Sequence, residues 1–300
     1  MPDRIVHIGF PKTATTFLQW EVFPYLKEVN YVDYNACRDI FPQIVFTDRL
    51  DHDLKVLSNK MDKYEKKGAT NFYSFELLAG SPFSPKGMNR SLIAESLKDV
   101  GFSRVIITVR DQAKAIDSYY RQYIVQGGTL RFRKWLDIND KRGWLQKHFS
   151  LSYLKYDLLV AHYQSLFGKE NVLVVDSENF RKEKDQTIDD VCGFLGASGL
   201  DTPSIRSTTV NNSLTNLSTS ILRVCNYFTY NGIRPSQFFH DSISTRNFWL
   251  LLKLILDPYF FRIFSSAKSY LKKYKLEKEL KAYYAESNDE LEKICSIRLK

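Results

Sequence analysis

The stretch Ile5-Val6-His7-Ile8-Gly9-Phe10-Pro11-Lys12-Thr13-Ala14-Thr15-Thr16-Phe17-Leu18-Gln19 decides the fold. Ile5 to Phe10 is short, apolar and rich in β-branched residues, which suits a buried parallel strand. Pro11 has no N–H to give a ladder, so the strand stops there. Thr13, Thr15 and Thr16 are residue types that cap helix N-termini, and Phe17, Leu18 and Val22 begin an apolar stripe that Pro24 closes. Strand, tight turn, lysine with hydroxyls, helix start: this order gathers main-chain N–H groups and one ammonium around a single point. A phosphate or sulfate is the natural guest there.

The turn is not a nucleoside-triphosphate loop of the form G-x-x-x-x-G-K-[ST]. Only two residues separate Gly9 from Lys12, and no second glycine precedes the lysine. The plain alternative is a strand–turn–helix with a surface lysine.

Three hundred residues with 44% hydrophobic content are ample for one sizeable core. Lysine and arginine number 43 against 34 acids, a net charge of +9 that favours anionic ligands, whether nucleotide, acidic glycan or lipid surface. The excess is spread along the chain, and no arginine-rich arm argues for nucleic acid. Cys37, Cys192, Cys225 and Cys295 lie far apart without a C-x-x-C pair, so free thiols rather than metal ligands are expected. Met1 runs almost directly into the first strand with no signal peptide before it, and a cytoplasmic enzyme is the simplest expectation.

Further along, Tyr31 to Asp62 mixes aromatics, prolines and charges and reads as loop with short helices, with a clearer helix over Leu54–Met61. Asn71 to Phe75 is a second buried strand ended by Glu76. A carboxylate at the carboxyl end of a parallel strand sits where α/β sheets place ligands; a helix-start acid or an ion pair is the structural alternative. A helix over Leu92–Val100 precedes the third strand, Arg104–Val109, which delivers Arg110. In the helix after it, Ser118 stands off the core face marked by Ile116, Tyr119 or Tyr120, and Tyr123. Arg110 offers a planar fork for phosphate and Ser118 a hydroxyl. Arg131, Arg133, Lys134, Lys141 and Arg142 lie among Phe132, Trp135 and Trp144, either a solvated helix with core aromatics or a rim for a sugar or acidic acceptor. A helix over Tyr156–Phe167, a fourth strand over Asn171–Val175 with the acidic exit Asp176-Ser177-Glu178, and a helix over Thr187–Leu195 complete the alternation. The pattern predicts an α/β fold with a central parallel sheet flanked by helices. Residues 1–213 form its core and 214–300 a helical C-terminal part of a single domain, ending in a helix over Leu276–Ile294. Phe248 to Leu256 is the most apolar stretch, too short to cross a bilayer. With the basic residues between Lys253 and Lys281 it reads as a buried helix, with an interfacial membrane contact as the alternative.

Pro11-Lys12-Thr13-Ala14-Thr15-Thr16 resembles the 5′-phosphosulfate loop of the sulfotransferases that use 3′-phosphoadenosine 5′-phosphosulfate (PAPS), where Pro-Lys-[ST]-Gly-Thr-Thr is usual. Ala14 replaces the glycine, so the turn is expected to avoid a positive φ there. Arg110-Asp111, followed by Ser118-Tyr119-Tyr120, is similar to the family's 3′-phosphate segment, with Gln112 at the usual proline. The two segments leave predicted strands in the family's order. The ending Tyr283 to Leu291 looks like those of bacterial carbohydrate sulfotransferases.

The resemblance implies a P-loop-like sheet and transfer of a sulfuryl group from PAPS to a hydroxyl, less readily an amine, of a glycan or glycolipid, releasing adenosine 3′,5′-bisphosphate. No metal is implied. Pro11, Lys12, Thr13, Ala14, Thr15 and Thr16 would hold the phosphosulfate, with Lys12 also catalytic, and Arg110 and Ser118 the 3′-phosphate. Glu76 would be the base, since carbohydrate members use a glutamate in that part of the chain, with His240 as the histidine that sequence leaves open. Arg206 to Ser213 would cover the adenosine, but the usual Arg-Lys-Gly is absent and no adenine-contacting residue is assigned. A nucleotide kinase and a non-catalytic glycan- or membrane-binding module are the rivals.

Overall fold

The computed structural model describes residues 3–83, 87–138, 148–201, 213–228 and 249–299. Five strands form one parallel sheet in the order β2-β3-β1-β4-β5: β1 Asp3–His7, β2 Val29–Val32, β3 Thr70–Ser74, β4 Arg104–Val109 and β5 Val172–Asp176. The strand interiors are almost continuously buried, as a sheet covered on both faces requires. After β3 the chain crosses β1 to reach β4, so β1 is where the strand order reverses. Open α/β sheets bind ligands beyond the carboxyl ends of strands at such a point.

One face of the sheet is closed by Leu18, Val22, Phe23 and Leu26 from the segment after the first turn and by Ile188, Val191 and Leu195 from the helix Lys184–Leu195. An aromatic group holds Phe41 against Tyr73, Phe75 and Phe102, and Phe10 against Tyr153 and Tyr156. The helices Arg90–Asp99 and Tyr156–Phe167 belong to the same compact unit as the sheet.

The structure amends the sequence reading of two strands. The strand expected over Ile5–Phe10 ends as a regular strand at His7, because Gly9 turns left-handed (φ 78°). Its main chain still bonds β4 beyond that point, through Ile8 N–H to the Ile106 carbonyl, Thr108 N–H to the Gly9 carbonyl and Phe10 N–H to the Thr108 carbonyl. Val29–Val32, within a stretch read partly as loop, is the edge strand β2. Its interior is only half-buried, so it lacks the apolar run that marks the other four.

By contacts the chain falls into two compact units. The first takes the described residues of Met1–Asp111, Ser150–Thr208 and Tyr284–Lys300 and contains the whole sheet. The second takes those of Gln112–Phe149 and Thr209–Tyr283. It is helical, with Tyr120, Phe132, Trp135 and Tyr270 packed in an aromatic core. Buried Arg121 crosslinks that core, donating to the Leu214 and Lys268 carbonyls and to the side chains of Thr219 and Asn216. Among the described residues no helix is long and apolar enough to cross a membrane.

Candidate functional site

The first turn lies at the carboxyl edge of β1, and its backbone is unusual. Lys12 and Ala14 both adopt positive φ, 69° and 64°. The expectation that alanine at position 14 would keep φ negative is therefore corrected. The left-handed turn survives the loss of glycine, at the roughly 1–2 kcal/mol that an L-residue gives up there. Thr15–Phe17 opens the helix, which widens over Leu18–Val22 and tightens over Phe23–Tyr25. The first N–H groups of a helix have no partner inside it, and those of Thr15 and Thr16 open this one.

The hydroxyls divide differently from the sequence expectation. The Thr13 hydroxyl is buried and donates to the Phe10 carbonyl at 2.5 Å, with the Thr108 hydroxyl 2.6 Å away. It is committed to the core, and what Thr13 can give a ligand is its main chain. The Thr15 hydroxyl is also buried and donates to Oε2 of Glu76 at 3.0 Å. Thr16 is exposed, Lys12 and Ala14 are half-buried, and Pro11 is buried.

Glu76 stands beside the turn for a steric reason. It follows β3, the neighbour of β1, and a Cβ placed on Gly9 would lie 2.8 Å from the Glu76 Cα. Only glycine lets the two chains approach so closely. Burial raises the Glu76 carboxyl above its ordinary value, while the Thr15 hydrogen bond and the Lys12 charge pull the other way. The result is a desolvated carboxylate with a raised proton affinity, flanked by a cation and a hydroxyl donor.

Arg110 leaves β4 on the other side of β1 and reaches the same turn. Its Nη1 donates to the Lys12 carbonyl at 2.9 Å and its Nε to Oε1 of Glu178 at 3.3 Å. Glu178 comes from the exit of β5, where Asp176 caps the helix Ser177–Lys182 by accepting from the Glu178 N–H. The sheet therefore brings Lys12, Glu76 and Arg110, from three strand ends, to one edge. Ser118 lies in the helix Gln112–Val125 of the second unit and is half-buried.

The acidic exit Asp176-Ser177-Glu178 stands out in the sequence, but its pairing with Arg110 does not, because that ion pair joins the ends of two neighbouring strands 68 positions apart. Phe132 and Trp135 are buried in the second unit's core, which leaves them no part in a sugar rim. Lys141, Arg142, Trp144, His240 and Arg206 to Asn212 lie outside the described residues. Of the other histidines, His7 is buried in β1, His52 lies beside Ser96, His148 stands near the Tyr123 ring, and His162 is on the helix Tyr156–Phe167. No group of three or more metal-ligating side chains occurs among the described residues.

No family model matches the chain, and no curated protein does. Three solved structures with some likeness are sulfotransferases. One, from Alicyclobacillus acidocaldarius, is 17% identical over 70% of this chain and 86% of its own, with a TM-score of 0.49. The sulfotransferase domain from the curacin biosynthetic pathway is 12% identical over 95% of this chain and 97% of its own, with a TM-score of 0.42. Mouse sulfotransferase SULT7A1, solved in complex with PAP, is 12% identical over 76% of this chain and 65% of its own, with a TM-score of 0.32. Likenesses this distant carry no weight for the chemistry, which rests on the residues at the sheet edge.

Proposed function

We propose that the protein is a PAPS-dependent sulfotransferase acting on a hydroxyl. The observation that carries this reading is the meeting of Lys12, Glu76 and Arg110 at one sheet edge around a turn with two left-handed residues. The sequence patterns of the turn and of Arg110-Asp111 supply the identity of the donor. The residues present fit such a ligand: a half-buried cation, helix-opening N–H groups and a guanidinium suit a molecule with negative charge at two ends.

PAPS supplies an activated sulfuryl group on a phosphate leaving group. Glu76 takes the proton of the acceptor hydroxyl as the acceptor oxygen forms its bond to sulfur, and the raised proton affinity given by burial suits it to that task. Thr15 holds the carboxylate in place through its hydroxyl. As the bond between sulfur and the bridging oxygen breaks, Lys12 and the turn's N–H groups neutralise the charge left on the phosphate. Arg110 binds the 3′-phosphate through guanidinium N–H groups other than those engaged by Glu178 and the Lys12 carbonyl, and the sequence pattern supplies Ser118 as a further ligand.

The acceptor belongs to the same proposal. A glycan or glycolipid fits the +9 charge and the pattern of the final helix. Peripheral attachment to an anionic membrane is supported by exposed Leu254, Ile255, Ile263 and Phe264 beside Lys253 and Arg262.

The test is direct. Adenosine 3′,5′-bisphosphate should raise the melting temperature without magnesium, and an acceptor screen with labelled PAPS should yield a sulfated product. Lys12→Ala should cost about a hundredfold or more in turnover with the fold intact, the usual cost of losing a transition-state charge contact. A Lys12→Ala protein within a few-fold of wild type sinks the assignment. A thermal shift seen only with a nucleoside triphosphate and magnesium would favour a kinase.

A further inference from the structure

Beneath the turn a line of buried polar side chains crosses three strands. Gln19, Ser74, His7, Thr108 and Thr13 are each at most 4% exposed. The register sets the line: His7 pairs with Ser74 of β3 on one side and with Ile106 of β4 on the other. Thr108 lies two residues beyond Ile106, and so on the same face. Gln19 Nε2 donates to the Ser74 hydroxyl at 3.0 Å and to its carbonyl at 3.4 Å. His7 Nδ1 is 2.7 Å from the Ser74 hydroxyl, and Nε2 is 3.2 Å from the Thr108 hydroxyl. The Thr108 hydroxyl meets that of Thr13 at 2.6 Å, and Thr13 ends the line on the Phe10 carbonyl.

The protons in this line have one arrangement. A carbonyl only accepts, so the single Thr13 proton goes to Phe10. Thr13 must then accept from Thr108, and Thr108, its own proton spent, must accept from His7 Nε2–H. From the other end, the Ser74 carbonyl fixes the Gln19 amide with its NH₂ towards Ser74. Ser74 accepts from it and gives its proton to a bare Nδ1. The two ends demand the same tautomer, and burial, which holds the imidazole neutral down to about pH 3, permits it.

We propose that His7, as the neutral Nε2–H tautomer, is a positioning residue for the anion turn, linking the helix after the turn to the strand before it by a one-directional hydrogen-bond chain. The chain starts on Gln19, four residues past Thr15, and ends on Thr13 and Phe10, which bracket Lys12. It ties the Thr13 side chain inward and fixes the main chain on both sides of left-handed Lys12. The inference rests on the turn being the anion site proposed above, yet the chain itself is testable without any ligand.

The experiment compares His7→Phe, which keeps a flat ring and removes both polar atoms, with His7→Gln, whose amide restores one acceptor and one donor. Nitrogen NMR of the wild-type protein should show a protonated Nε2 and a bare Nδ1, unchanged between about pH 5 and 8, where an ordinary histidine titrates. His7→Phe should weaken adenosine 3′,5′-bisphosphate roughly tenfold or more, and His7→Gln should stay within about threefold of wild type. A purely structural histidine would lower stability in both variants and leave the affinity of the folded fraction alone. A proton on Nδ1, or a folded His7→Phe with wild-type affinity, overturns the proposal. If His7→Phe does not fold, Thr108→Val cuts the same chain and takes its place. If the wild-type protein does not bind the nucleotide, the cofactor reading falls by itself. Amide exchange at Lys12 to Thr15 then decides: faster exchange in the variant supports the chain, and unchanged exchange overturns it.

Discussion

Gly9 and Ala14 are both left-handed, yet they answer to different constraints. Gly9 faces the Glu76 backbone at a distance no side chain tolerates, so Gly9→Ala should displace the proposed base as well as strain φ. Ala14 is strained by conformation alone. Relieving about 1–2 kcal/mol of left-handed cost, less the roughly 0.5–1 kcal/mol that glycine loses in chain entropy, Ala14→Gly should stabilise the protein by up to about 1.5 kcal/mol. Urea unfolding checks this, and a loss of stability would mean the turn does not hold the left-handed conformation in solution. Glu76 makes a second residue-scale prediction. Glu76→Gln keeps the shape, removes the base, and should lower turnover by at least about a hundredfold while nucleotide affinity is unchanged. The sign of its stability effect follows from burial. A carboxyl whose folded-state pKa is raised favours the folded state at low pH, and that advantage is lost as pH rises through the raised value. The glutamine variant escapes the loss and should melt higher than wild type at neutral pH. Equal melting temperatures at neutral pH would show that the carboxylate is not desolvated.

At the scale of elements, β4 and β5 run side by side with Val109 opposite Asp176, which is why their exits supply Arg110 and Glu178 to one place. Arg110→Ala should strongly weaken adenosine 3′,5′-bisphosphate and barely alter adenosine 5′-phosphosulfate, which lacks the distal phosphate. Calorimetry with both nucleotides settles this, and equal weakening would put Arg110 elsewhere on the donor. The segment Leu252–Phe261, with Arg262–Phe264 after it, behaves as two faces. Leu252 is buried, whereas Ile263 and Phe264 are 73% and 80% exposed. Floating the protein with anionic vesicles tests that exposed face: binding at low salt and release as salt rises is the expected outcome. No binding to vesicles at any salt would leave those side chains as ordinary surface.

For the molecule as a whole, acid stability is where the buried chain under the turn should be felt. His7 has its proton affinity depressed from the ordinary 6.5 to about 3 by burial. As pH falls below 6.5 the unfolded chain takes up a proton that the folded protein refuses, so stability should fall by about 1.4 kcal/mol per pH unit from this group. Half-buried His52, also depressed by burial, adds in the same direction. From about pH 6.5 to 5 His7 steepens this fall, and His7→Gln should flatten it. An unchanged slope in that variant would mean that His7 takes up a proton in the folded state.

The first nineteen residues, read as a sequence, determined the class of fold and the place of the candidate site. A β-branched run halted by proline before a lysine and threonines can be little else than a strand delivering a turn to a helix, and apolar runs recurring between helices make the sheet parallel. Four of the strands and the residues Lys12, Glu76 and Arg110 were legible because each sits at the end of such a run. Only tertiary structure decided the rest. The edge strand Val29–Val32 is half-buried and takes its order from pairing with β3, which no local pattern records. The left-handed Ala14 is held by its surroundings against its own preference. The inward turn of Thr13, the hydrogen bond from Thr15 to Glu76 and the chain through His7 join residues 55 to 101 positions apart, except where the turn closes on itself. Such contacts come from strand register, and register is set by the packing of the whole sheet.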